Sequence, residues 1–174
     1  MVLSDASVSK GTIMTQESVD SVDRSAEEHR ERGIEIFGLT WALVDRSDRT
    51  ADDNEAMIRA AYASAYHWSL AARRTVENEV RGEWMLSRVH ALAGFGDTAL
   101  RHATRCLRMT EAAGLTDFDL GFAHEAMARS LACLGNVDEA RRHLAIARAT
   151  PIAEPEDRSI FEGDLAAEPW FGLA

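Results

Sequence analysis

A chain of 174 residues that is 46% apolar and 28% charged has the composition of an ordinary folded domain with one sizeable core. Nineteen basic residues against 29 acidic ones leave a formal charge of −10, which excludes a general affinity for nucleic-acid phosphates or anionic membrane surfaces. No apolar run approaches the roughly 20 residues that cross a bilayer, and the opening MVLSDASVSKGTIMTQESVD lacks the charged start and apolar block of a secretory signal. A cytoplasmic protein is expected, with Cys106 and Cys133 as unlinked thiols in apolar helical stretches.

Residues 1–18 are small and polar, without a sustained period, and are expected to form a flexible tail. From Val19 the pattern turns helical. Ile34, Phe37, Trp41 and Val44 recur at spacings of three and four, while Ile36, Leu39 and Leu43 fill a second face, so this helix is expected to be buried on two sides. The polar run DRSDRTADDN breaks the pattern and offers caps for a helix whose stripe is Met57, Ala61, Ala65, Trp68 and Ala72. The next stripe is Val76, Val80, Trp84, Ser87 and Ala91. Asp97, Asp117 and the stretch from Asn136 to Asp138 offer starts for three more helices, and Gly94, Gly114 and Gly135 stand where helices stop. A last helix follows Pro155, a residue well tolerated in a first turn. Extended alternation and hairpin turns are missing. The class is therefore all-α, with about seven helices.

The second half of the chain repeats. Gly135 lies 41 residues after Gly94, and the same offset pairs Ala140 with Ala99, His143 with His102 and Arg142 with Arg101. It also pairs Met127 with Leu86, Ala128 with Ser87, Arg129 with Arg88 and Ala147 with Cys106. A shared offset means two copies of one helix–turn–helix unit, in which the glycine makes the corner. The small residue five positions on, Ala99 or Ala140, then sits where the two helices come closest.

The stretch MARSLACLGNVDEARRHLAIARA resembles a tetratricopeptide repeat, with Met127, Ala128, Leu131, Leu134, Gly135, Ala140, Leu144 and Ala147 in the family's packing positions. Residues 80–113 are a weaker copy: Leu86, Gly94 and Ala99 keep the pattern, and Ser87, His90, Ala93 and Ala103 depart from it. The copies are 41 residues apart, rather than the family's usual spacing of about 34, and GLTDFDL absorbs part of the excess. Repeats of this longer kind are common among bacterial regulatory and scaffold proteins. The resemblance implies a right-handed α-solenoid of antiparallel helix pairs over residues 19–174: a degenerate pair at 19–72, repeats at about 80–113 and 121–154, and a capping helix at about 155–167.

It also implies a non-enzymatic module that binds a protein or peptide, with no catalytic residue, metal or cofactor. The family's groove positions fall on Arg81, Trp84 and Arg88 in one repeat and on Phe122, Glu125 and Arg129 in the next. Arg88 and Arg129 are repeat-equivalent, so their guanidiniums could jointly hold a carboxylate or phosphate of an acidic partner, with Trp84 and Phe122 as an apolar floor. The other reading is that both arginines pair internally, with Glu83, Glu125 or other carboxylates of this acidic chain. A homodimer is compatible with either.

The alternative function is a ligand sensor or metal-dependent helical enzyme using His67, His90 and His124, with Glu79, Glu83 and Glu125 close in sequence. Against it, no H-x-x-x-H or E-x-x-H pair places two ligands on one helix face. The segment EPWFGLA puts Trp170 and Phe171 beyond the last helix, either to cap its apolar face or to be offered to another chain.

Overall fold

The computed structural model describes residues 16–173, with side chains from Ser25 onward. They form helices α1 (Gln16–Val44), α2 (Ala51–Leu70), α3 (Val76–Leu92), α4 (Gly96–Ala112), α5 (Asp117–Cys133), α6 (Val137–Ala149) and α7 (Pro155–Ala166), and no strand occurs among the described residues. The expected tail lies mostly outside these residues; its last three positions, 16–18, open α1. No helix of the described residues is long and apolar enough to cross a membrane.

Sequence-local chemistry sets the ends. Thr50 and Asp53 start α2 as a reciprocal box: Asp53 N donates to Thr50 Oγ1 at 3.2 Å and Thr50 N to Asp53 Oδ2 at 2.8 Å. Helices α3, α4 and α5 end alike. Gly94, Gly114 and Gly135 have φ of 81°, 65° and 77°. The residue after each donates to the carbonyl five positions before it, Phe95 to His90, Leu115 to Thr110 and Asn136 to Leu131. A Cβ on any of the three would meet nothing within 4 Å, so conformation rather than space demands glycine there. Two residues past the first corner the reason reverses. A Cβ on Gly96 would lie 2.8 Å from Leu134 Cδ2, and here it is the close approach of α4 to the end of α5 that requires a glycine.

Consecutive helices pack on each other from α1 to α6, with further contact of α3 on α5 and of α5 on α7. Helices α3 and α5 are thus the inner layer, and each carries more buried positions than any helix outside that layer among the described residues. The larger core gathers Val44, Met57, Val80, Trp84, Met85, Val89, Cys106, Phe122 and Phe161. A second cluster joins Ala128, Leu131, Ala140 and Leu144 to Trp170 and Leu173. Trp170 therefore covers the last helices, while Phe171 faces outward, 40% exposed. The expectation that α1 is buried on two sides is corrected. Ile34 and Leu39 are 49% and 57% exposed, one from each predicted face, while Phe37, Trp41 and Leu43 pack against the core only in part.

Ala99 and Ala140 are both wholly buried, as residues at a close helix approach should be. Ala140→Leu would overpack the α5–α6 seam and is expected to cost about 1–3 kcal/mol. Thermal melting of the variant tests this, and an unchanged midpoint would mean that the seam has room. Cys106 and Cys133 are free thiols, and burial pushes the Cys106 thiol up to about 12.

Candidate functional site

The inner layer brings all six residues expected of a groove into one region but divides them into an open part and a sealed part. Arg81, Trp84 and Phe122 line a cavity of about 240 Å³, walled by Phe37 and Trp41 from α1, Phe118 from α5, and Ile160 and Asp164 from α7. The walls are aromatic because helix spacing stacks rings from four helices, α1, α3, α5 and α7. Trp84 packs against Trp41 with centroids 5.7 Å apart and meets Phe122 edge-on at 5.0 Å, and Phe122 in turn lies 4.6 Å from Phe118 and 4.9 Å from Phe161. At the rim, Arg81 grips Asp119 through both ends of its fork, at 2.8 and 3.2 Å, and lies over the Phe118 ring.

Arg88, Glu125 and Arg129 lie below, each 4% exposed or less. Glu125 sits between the two guanidiniums: Oε1 accepts from Arg129 Nε at 2.6 Å and from Arg88 Nη1 at 3.4 Å, and Oε2 accepts from Trp84 Nε1 at 2.9 Å. Burial opposes ionisation of Glu125, but the Arg129 and Arg88 charges and the hydrogen bonds from Arg129 and Trp84 hold its carboxyl below the usual range. The rest of Arg129 is taken by its own chain. Nη1 donates to the carbonyls of Ala167 and Pro169, at 3.0 and 2.8 Å, and Nη2 to that of Asp164 at 3.1 Å, while the guanidinium stacks 3.9 Å over Trp170.

Both arginines are therefore engaged internally, Arg88 with Glu125 and Arg129 with Glu125 and the segment after α7, and neither presents a free fork on an open surface. Arg88 is the less satisfied. Its Nε has no partner among the described residues, burial pulls its guanidinium below its ordinary value, and its Nη2 stands 3.7 Å from Asp164 Oδ1.

Asp164, Phe37 and Trp41 belong to the site although the repeat did not point to them. The 41-residue offset relates α3 to α5 and says nothing of α1 or α7. The signals available were local: Phe37 and Trp41 share one helix face, as do Phe161 and Asp164.

His67, His90 and His124 do not converge. Their partners are His29 (Nδ1–Nδ1 2.8 Å), His102 (stacked rings, centroids 5.6 Å apart) and His143 (Nδ1–Nδ1 2.9 Å) respectively, in three separate places. Among the described residues no three His, Cys, Asp or Glu side chains are grouped to hold a metal ion. Comparison of the chain with family models, with curated proteins and with solved structures finds no match.

Proposed function

We propose that this chain is a tetratricopeptide-like solenoid of antiparallel helix pairs that binds a protein or peptide partner and performs no chemistry of its own. The observation that carries the reading is the aromatic cavity in which Arg81, Trp84 and Phe122 meet. An apolar recess with a polar rim is the form in which an interface takes an anchoring side chain. The order of helix contacts, each helix on the next and α3 on α5, is what stacked helix pairs produce.

An acidic partner loses its recognition element, because the donors it would use are spent on Glu125 and on backbone carbonyls. The small size of the cavity favours a compact group, whether a partner's side chain or a free small molecule, and so keeps the ligand-sensing alternative alongside.

Ile160, half exposed at the cavity mouth, gives the test. Ile160→Glu should leave the melting temperature within a degree or two, as a surface substitution does. In a quantitative pull-down from native extract, a partner enriched by the unaltered chain should fall at least tenfold with the variant. Equal capture by both would remove the cavity from partner binding. A second copy of this chain among the captured species would identify a homodimer through the same face.

A further inference from the structure

Of the charged side chains on the cavity lining, Arg81, Asp119 and Asp164, only Asp164 lacks a hydrogen-bond partner among the described residues; Arg88, whose Nε is also unpartnered, lies behind the lining. Arg81 and Asp119 satisfy each other, and Glu125 receives three donors. Asp164 lines the cavity from α7, more than nine-tenths buried, and its nearest cationic neighbour, Arg88 Nη2 at 3.7 Å, is beyond hydrogen-bonding distance. Among the described residues no donor reaches its carboxylate oxygens. An open acceptor in an apolar wall selects a ligand that brings a donor.

We propose that the cavity takes a compact apolar amine, its ammonium donating to Asp164 and its hydrocarbon lying among Trp41, Trp84, Phe118 and Phe122. This rests on the cavity being the binding site and specifies what enters it. A cation suits the place better than a neutral donor, because the faces of indole and phenyl rings attract positive charge. A carboxylate ligand does not suit it. Asp164 and Asp119 face the cavity, Glu125 lies behind it, and the one arginine on the lining, Arg81, is held by Asp119. The shared chemistry has two sources, a free amine and the ammonium of a lysine.

The charges around Asp164 come from several elements. Arg88 stands on α3, Glu125 and Arg129 on α5, and Asp45 in the segment after α1. Burial raises the Asp164 carboxyl to about 6 against the pull of Arg88 and Arg129, with Glu125 and Asp45 adding to the rise. Below that pH a proton occupies the acceptor, so an ammonium must compete with it. Amine affinity should therefore be full above pH 7 and fall by up to tenfold per unit as pH drops below about 6.

Titration calorimetry with 2-phenylethylammonium, toluene, phenylacetate and N-acetyl-lysine amide tests this on the full chain. The amine should bind at least tenfold tighter than toluene at pH 7.5 and lose that advantage between pH 7 and 5, and phenylacetate should not bind. Asp164→Asn should erase the amine's advantage and leave toluene unchanged. A tighter lysine derivative assigns a peptide source and a tighter free amine assigns a small molecule, and both support the proposal.

Equal affinity for toluene and amine would overturn it while keeping the cavity as a binding site. Preference for phenylacetate would make Arg81, the arginine on the lining, the anchor and overturn it as well. Silence from every probe would end this proposal and leave the partner reading to the capture experiment with Ile160→Glu. If Asp164→Asn fails to fold, the pH profile of the unaltered chain decides, and a flat profile rejects the proposal.

Discussion

Glu125→Ala is expected to cost about 3–5 kcal/mol, enough to remove much of the stability of a domain this size. Two guanidiniums that are 4% exposed or less share this one carboxylate, at 2.6 and 3.4 Å. Removing it leaves two like charges desolvated and Trp84 Nε1 without its acceptor. The mechanism can be separated from simple loss of packing by a second substitution. Adding Arg88→Met takes away one of the stranded charges and should recover part of the loss, so the double variant should be more stable than Glu125→Ala alone. Arg129 has to stay in that comparison, because three carbonyls depend on it. Urea denaturation of the unaltered chain, of Glu125→Ala, of Arg88→Met and of the double variant measures the difference. Costs that simply add would show that the cluster is not electrostatically coupled.

Phe161→Ala should cost about 3–5 kcal/mol at its site, the range for deleting a buried aromatic ring. Phe161 is 3% exposed, stands edge-on to Phe122, and fills the space left by Gly121, where a Cβ would lie 3.1 Å from its ring. It is the main apolar attachment of a helix that packs chiefly on α5. The loss should therefore appear first as local opening of α7, with the measured global cost capped at what that opening takes. Hydrogen exchange resolves the two levels. Amides of residues 158–166 should exchange faster by orders of magnitude, while those of α3 and α5 change little. Uniform acceleration through all the helices would instead make α7 part of a single cooperative unit.

Much of the fold was legible because helix formation leaves a local trace. Met57, Ala61, Val80 and Trp84 recur at helical spacing and are buried, and Gly94, Gly114 and Gly135 mark corners that only positive φ explains. The over-read element was α1, since periodicity reports that a face is apolar but not whether another element arrives to cover it. The site was legible only in part, for a similar reason. The offset put Arg88 and Arg129 on one face, and the four-residue step from Glu125 to Arg129 hinted at their pairing. What finally occupies Arg129 is the backbone of residues 164–169, and carbonyl groups carry no sequence signature. Asp164 was silent too, because one acidic residue on a short helix reads as surface until its burial is known.

The grip of Arg129 on Asp164, Ala167 and Pro169 also bears on how the chain is made. Synthesis runs from the N-terminus at about 5–20 residues per second, so the helices emerge before the segment that satisfies their innermost cation. During that interval Arg129 holds Glu125 but lacks its three carbonyls and the ring of Trp170, and water must stand in for them. A nascent chain stalled before residue 164 would thus hold Arg129 by Glu125 alone. Residues 164–170 complete the surroundings of Arg129, and a chain cut before them would leave that buried guanidinium without three acceptors and an aromatic ring.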